Sequence, residues 1–318
     1  MLWALVLLVG GLVLLAVAPD RFVAGSAGLA DRWGISRVLI GAVVIGFGTS
    51  TPEMLVSGLA AADGVPEVGV GNIVGSNMAN LGLVIPVAAL VGHLGVPEGI
   101  VRRELPVMVI ATAAFALAVQ NGLTRPEGGL LAAGLVVALT VIVREAAAPG
   151  GRADDELAAE VDELLVEERA EGTGRLVLAT VAGLAGTLAG AQLMVTGAVD
   201  IADRFELSGG FVGITVVALG TSLPELVTAV AAARAGEDQL IIGNVVGSNL
   251  FNSLGVGAVV GLTGPRPLHD PKLTVAAVVM MLLITALATA AMARRRSVSR
   301  VEAAALLVFY VAFLPMLA

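Results

Sequence analysis

The sequence predicts an all-α polytopic membrane protein with ten transmembrane helices, arranged as two inverted five-helix repeats with broken helices at the midplane. Three observations predict it. The chain has 318 residues, 57% of them hydrophobic and only 14% charged, with a mean hydropathy of +0.95, which is far too apolar for a soluble domain. Windows long enough to cross roughly 30 Å of hydrocarbon fall at 2–18, 35–61, 68–92, 104–120 and 127–144, then at 175–198, 209–233, 239–262, 273–293 and 301–317. Finally, two motifs of the first half return in the second at one constant offset, the mark of an internal repeat.

The first window, Met1 to Ala18, lacks the positive start of a secretory signal, and its counterpart near Leu184 to Val199 reads as a span, so it is kept as a helix. Downstream, Ala30-Asp31-Arg32-Trp33 falls on Ala202-Asp203-Arg204-Phe205. The second window carries Gly46-Phe47-Gly48-Thr49-Ser50-Thr51-Pro52-Glu53, matched by Leu219-Gly220-Thr221-Ser222-Leu223-Pro224-Glu225. The third carries Gly71-Asn72-Ile73-Val74-Gly75-Ser76-Asn77-Met78-Ala79-Asn80, matched by Gly243-Asn244-Val245-Val246-Gly247-Ser248-Asn249-Leu250-Phe251-Asn252. From Gly48 to Gly220, Glu53 to Glu225, Ser76 to Ser248 and Asn80 to Asn252 the separation is always 172 residues. Residues 1–144 therefore form the first five-helix repeat, 145–174 an acidic cytoplasmic loop and 175–318 the second repeat.

The loop supplies most of the formal net charge of −8, through the acidic run from Asp154 to Glu171. Leu157, Val161, Leu164 and Leu165 recur at helical spacing and fit a short amphipathic helix within a solvated connector. No EF-hand spacing is present. Cysteine is absent, which removes disulfides and thiol chemistry.

Orientation follows from the cations. With the N-terminus outside, the inner loops hold fourteen arginines, including the Arg294–Arg296 cluster, and the outer loops hold only Arg125, Arg204, Arg266 and Lys272. Both termini are then outside and the central loop cytoplasmic. Five is an odd number, so the second repeat enters from the opposite face, a device of secondary transporters whose substrate site lies where the repeats meet.

The apolar windows contain two deep ionisable residues, Glu53 and Glu225, at equivalent positions. A carboxylate near the bilayer centre is costly and marks a pathway or a site. Pro52 and Pro224 precede them, and proline removes an amide and frees the carbonyl four residues back, a device tolerated at this depth where the backbone faces protein or water. Thr49 and Glu53, like Thr221 and Glu225, share a helix face. Ser76, Ser248, Asn80 and Asn252 read as site residues, whereas Asn72, Asn244, Asn77 and Asn249 read as contacts between helices. Paired carboxylates, hydroxyls and amide oxygens without thiol or imidazole suit hard cations such as Ca2+ or Na+ and suit zinc or copper poorly.

At these residues, Gly-Thr-Ser-x-Pro-Glu followed by Gly-Ser-Asn-x-x-Asn in each half, the chain resembles the cation/Ca2+ exchanger superfamily. Within it, the chain is most similar to the prokaryotic sodium/calcium exchanger branch. The resemblance implies an antiporter in which Na+ entry drives Ca2+ export by alternating access. It implies Glu53 and Glu225 as central Ca2+ and Na+ ligands, and Thr49 and Thr221 as carbonyl ligands to Ca2+. Ser50, Ser222, Ser76 and Ser248 would line Na+ sites, Gly46 and Ala218 would offer backbone carbonyls, and Asn80 and Asn252 would border the centre. Some relatives carry aspartate where this chain has Asn252, so potassium coupling is not expected. Proton-coupled relatives place an acid and a histidine where Gly75 and Ser76 stand here, and the two histidines, His93 and His269, fall in loops.

The expected function is Na+/Ca2+ antiport, with Ca2+/H+ or Na+/H+ antiport through the same glutamates as the alternative. An intramembrane hydrolase would need unequal acid and base environments, and the matching surroundings of Glu53 and Glu225 argue against it. The expectations are a transporter rather than an enzyme, in the cell (plasma or inner) membrane. Its substrates are Ca2+ and Na+, its surroundings are lipid, and it has no cofactor, nucleic acid or obligate protein partner.

Overall fold

The structure, a computed structural model, describes residues 2–34, 50–120, 122–146, 165–166 and 170–317. Helix dominates because an apolar chain in lipid must satisfy its backbone polar groups internally. Seven described stretches are long and apolar enough to cross a membrane: Leu2–Arg32, Pro66–Val91, Arg125–Ile142, Thr173–Phe205, Asp238–Thr263, Lys272–Arg295 and Arg300–Leu317. An eighth is a bent pair, Gly209–Thr221 and Leu223–Ala235, and Glu104–Gln120 is a shorter apolar helix. Of the window 35–61 the described part is the helix Thr51–Ala62, and the amphipathic segment expected between 156 and 169 lies almost wholly outside the described residues.

In order, the first repeat contains α1 (Leu2–Leu15), α2 (Ala18–Arg32), α3 (Thr51–Ala62), α4 (Pro66–Ala79), a π-helical turn at Asn80–Val84 and α5 (Ile85–Val91). Strand β1 (Leu94–Gly95) and the short α6 (Glu98–Arg102) lead into α7 (Glu104–Gln120) and α8 (Arg125–Ala146). The second repeat starts with the long α9 (Thr173–Phe205). A broken helix follows: α10 (Gly209–Val212), a π turn (Gly213–Val217), α11 (Ala218–Thr221) and α12 (Leu223–Ala235). Then come α13 (Asp238–Phe251), a π turn (Asn252–Val256), α14 (Gly257–Thr263), a π turn (Lys272–Ala277), α15 (Val278–Arg295), β2 (Ser297–Val298) and α16 (Arg300–Phe313).

The 172-residue offset is visible in the backbone itself. It carries the end of α4 onto the end of α13, the π turn at Asn80 onto that at Asn252, and both limits of α5 onto those of α14. It does not carry over at the N-terminus. The first window stops at residue 18, whereas helix resumes at Ala18 and runs to Arg32; α9, its counterpart, continues unbroken through the matching position. Pro19 explains the restart, since it sits in the first turn of α2, where a missing amide costs nothing.

Burial sorts the helices. The windows of Pro66–Val91 and Asp238–Thr263 are each 83% buried, against 17% for Arg125–Ile142 and 22% for Arg300–Leu317, so the two motif-bearing helices form the centre. The outer ones present Leu130, Val136, Val301 and Val308 outward. Helix α4 packs on α10, α11 and the π turn between them, so the first repeat docks onto the broken helix of the second. The approach is close: a Cβ on Gly71 would lie 2.5 Å from the Gly210 carbonyl and 3.0 Å from Gly213 Cα. Small residues at such crossings allow backbone contact in membranes. Helices α1 and α2 pack along α9, and α1 and α9 with parts of α3, α4 and α10 form an apolar cluster separate from the main core.

Candidate cation site between the repeats

Ser50 (φ −93°, ψ 7°) and Ser222 (φ −89°, ψ 1°) adopt the same bridge conformation just before α3 and α12. Pro52 and Pro224 lie in the first turns that follow, and the bend at Ser222 is 43°. The break expected from Pro224 is therefore present, and Pro52 stands in the first turn of a helix that starts at Thr51. Each of these helices holds a glutamate in its first turn, Glu53 or Glu225, and the positive end of the helix dipole favours the carboxylate there.

Glu53 is 2% exposed and Glu225 7%. The two lie close enough to interact electrostatically, and the Thr221 side chain is within hydrogen-bonding reach of Glu53. Thr221 Oγ1 donates to Asn72 Oδ1 (3.2 Å) and lies 3.4 Å from Ser76 Oγ, so hydroxyls of both repeats gather beside the carboxylates. Ser50, Ser76, Asn80, Ser222, Ser248 and Asn252 are all buried as well. Thr49 and Gly46 lie outside the described residues. The carbonyl of Ala218 already accepts from Ser222 N (3.0 Å) and Thr221 Oγ1 (3.3 Å).

Seven of the expected ligands carry a buried oxygen with no hydrogen-bond partner: Ser50 Oγ, Glu53 Oε2, Asn80 Oδ1, Ser222 Oγ, Glu225 Oε2, Ser248 Oγ and Asn252 Oδ1. Six of the seven form three pairs across the repeat: Ser50 with Ser222, Glu53 with Glu225, and Asn80 with Asn252. Buried polar atoms are normally satisfied, so matched unpaired oxygens in both repeats mark a place built to receive something that accepts lone pairs. Among the described residues no three of His, Cys, Asp or Glu come together. The donor set is thus two carboxylates completed by neutral oxygens, which fits a hard cation carried as cargo.

Of the residues read as interhelical contacts, Asn72, Asn77 and Asn249 make hydrogen bonds between helices. Asn77 Nδ2 donates to Ser253 Oγ (2.9 Å) and Asn249 Nδ2 to the Asn77 carbonyl (3.4 Å); Asn72 Nδ2 donates to Ser57 Oγ (3.0 Å). Asn80 does both jobs, donating through Nδ2 to Asn249 Oδ1 (2.9 Å) while its own Oδ1 stays unpaired. Sequence reasoning missed Ser57, Ser253 and Thr112, the last bonded to Ser253 at 3.4 Å. The offset carries Ser253 back onto Leu81, so no duplication flagged it.

A further acid stands near the pair: Asp20, exposed at the start of α2 within the stretch Leu2–Arg32, acts electrostatically on Glu225. The window that ended at residue 18 left it in a loop. Its counterpart by the offset is Gln192, which donates to Asp63 Oδ2 (3.1 Å).

Comparison with known proteins identifies the family. The family described as "Sodium/calcium exchanger protein" matches residues 3–144 and 175–317, leaving out the acidic loop. CaxA of Alkalimonas amylolytica is 36% identical over 98% of each chain, and the sodium/calcium exchanger MaX1 of Methanosarcina acetivorans is 29% identical over 96% of each. Among solved structures, the sodium-calcium exchanger NCX_Mj superimposes with a TM-score of 0.66 at 28% identity, covering 100% of this chain and 99% of that one. A duplicated Gly-Thr-Ser-x-Pro-Glu motif, a helical membrane fold and a match over both halves of the chain lead to one conclusion: this chain belongs to the sodium/calcium exchanger family and is a multi-pass membrane transporter, not an enzyme.

Proposed function

We propose that the protein is a secondary antiporter that exchanges Na+ for Ca2+ by alternating access, normally exporting Ca2+. The observation that carries this reading is the set of unpaired buried oxygens matched across the two repeats. In this reading the ten helices form two inverted repeats, both termini are outside, and the central acidic loop is cytoplasmic. Glu53 and Glu225 hold the ion, with Ser50, Ser76, Asn80, Ser222, Ser248, Asn252 and the Thr49 and Thr221 backbones completing its shell. Gly46 and Ala218 supply further carbonyls, Ala218 only by giving up hydrogen bonds it already accepts.

The coupling has an electrostatic basis. Two neighbouring buried carboxylates repel, and a low-dielectric interior leaves that repulsion poorly screened. The site therefore changes its face readily only when cations balance the charge, and one Ca2+ or two Na+ ions do so equally well. Ions that can replace one another but cannot be left out give exchange rather than leak. The names of MaX1 and NCX_Mj as sodium/calcium exchangers support the same choice of ions.

The test is radioactive Ca2+ uptake into proteoliposomes loaded with Na+, set against K+-loaded vesicles and against a pH gradient alone. Uptake that requires the outward Na+ gradient is the expected result. Uptake driven by the pH gradient without Na+ would replace Na+ with protons and overturn the proposed coupling.

A further inference from the structure

The residues that set orientation are also folded into a groove. Helix α15 ends in Arg294 and Arg295, and Arg296 closes it in the left-handed conformation (φ 52°), where a non-glycine side chain is unusual. The chain then enters β2, which pairs antiparallel with β1, Leu94 opposite Val298 and Gly95 opposite Ser297. Val96 N donates to the Arg296 carbonyl (2.8 Å). This two-stranded clip brings the end of α15 beside α6. Glu98 bridges Arg102 (2.6 Å) and Arg296 (2.6 Å), and Arg294 pairs with Glu302 (3.1 Å); Arg295 forms none of these bridges.

Between them lies a groove of about 500 Å3 lined by Glu98, Arg102, Arg294, Arg295 and Arg296. Four guanidiniums against one carboxylate leave the lining three charges positive. Satisfying the inside-positive rule needs cations alone. It does not need a strand clip, a left-handed arginine and a shared carboxylate that hold those cations around one cavity. The depth is also informative: the span Lys272–Arg295 that ends at the groove has 24 residues, about 36 Å at 1.5 Å per residue, longer than roughly 30 Å of hydrocarbon, so its arginine end reaches the headgroup layer. The arginines are half to three-quarters exposed, hydrated but able to reach a phosphodiester with paired N–H donors.

We propose that this groove is a binding site for the headgroup of an anionic glycerophospholipid. The bound phosphate meets Arg102 and Arg295, while Glu98 holds Arg296 in place. Basic pockets between helices on one membrane face are the general form of such sites.

The experiment is native mass spectrometry of the full chain released from micelles doped with phosphatidylglycerol or phosphatidylcholine. The comparison is with Arg102→Gln/Arg295→Gln and with the conservative Arg102→Lys/Arg295→Lys, which guards against a folding defect. The expected result is retention of one phosphatidylglycerol in preference to phosphatidylcholine. The Gln pair should lower that preference about tenfold, the Lys pair less, and Arg204→Gln, elsewhere on the surface, not at all. Equal retention of the two lipids by the unaltered chain, or an unchanged preference in the Gln pair, would overturn the site. Full displacement of the lipid by soluble glycerol phosphate would overturn the lipid assignment in favour of a free phosphate.

Discussion

Glu53 and Glu225 are both buried and act on one another electrostatically, and in the proposed exchange each supplies half of the charge that a divalent ion needs. Glu53→Gln and Glu225→Gln keep the shape and remove that half. Loss of one partner from a buried charge pair costs about 3 kcal/mol or more, a hundredfold or more in affinity. Each variant is therefore expected to lose Ca2+ uptake while eluting as a single folded species in gel filtration, and full uptake by either would sink the assignment. Asp20 has a smaller part, since it is exposed and acts on Glu225 through space. Asp20→Asn should raise the Ca2+ concentration for half-maximal uptake about two- to tenfold, at most ~1.4 kcal/mol, with the maximal rate held; an unchanged concentration dependence would remove it from the ion's surroundings. The difference in legibility between these acids is instructive. Glu53 and Glu225 announced themselves by being duplicated at one offset in apolar windows. Asp20 sits beside Pro19, a pair that reads as a loop, and its counterpart Gln192 carries no charge.

At the scale of the element, the break at Ser222 and the helix start at Thr51 were legible because proline acts locally: Pro224 and Pro52 mark them. The π turns were not, although two of them repeat at the 172-residue offset. Passing from one hydrogen-bond step to the next changes no composition and leaves no periodic signature. Gly71/Gly75 and Gly243/Gly247 stand at a spacing that suggests close packing, and the structure supplies a partner for the first pair alone: α4 lies against the broken helix at Gly210, Gly213 and Ile214, whereas a Cβ on Gly243 or Gly247 would meet nothing within 4 Å. This crossing holds Asn72 and Ser76 beside Thr221. Gly71→Ala would put its Cβ 2.5 Å from a backbone carbonyl that no rotamer change can move. The expected cost is about 1–3 kcal/mol, read as a lowered melting temperature in detergent together with slower transport. Gly129→Ala, on α8, meets no described neighbour within 4 Å and should leave both unchanged. Equal behaviour of the two variants would show that the crossing tolerates separation.

For the whole molecule, orientation decides which way the proposed exchanger moves Ca2+, and it can be read through the chemistry the chain lacks. No cysteine is present, so a single introduced thiol is the sole target of a membrane-impermeant maleimide. The two histidines are suited to this purpose. His93 follows α5 and is 82% exposed, and His269 lies exposed in the segment between α14 and the π turn at Lys272. An odd number of spans separates them under the ten-helix topology, so they belong to opposite faces. The arginine count puts His93 inside, next to the Arg294–Arg296 groove, and His269 outside. In intact cells His269→Cys should react at once, whereas His93→Cys should react only after permeabilisation. Reaction of both from outside would contradict the span count between them. The reverse pattern would keep the fold and invert the molecule, placing the acidic loop and the arginine groove on the outer face. That result would also make Ca2+ export depend on the opposite opening of the site, because a cation driven inward by its own gradient must enter from the side where Na+ is abundant.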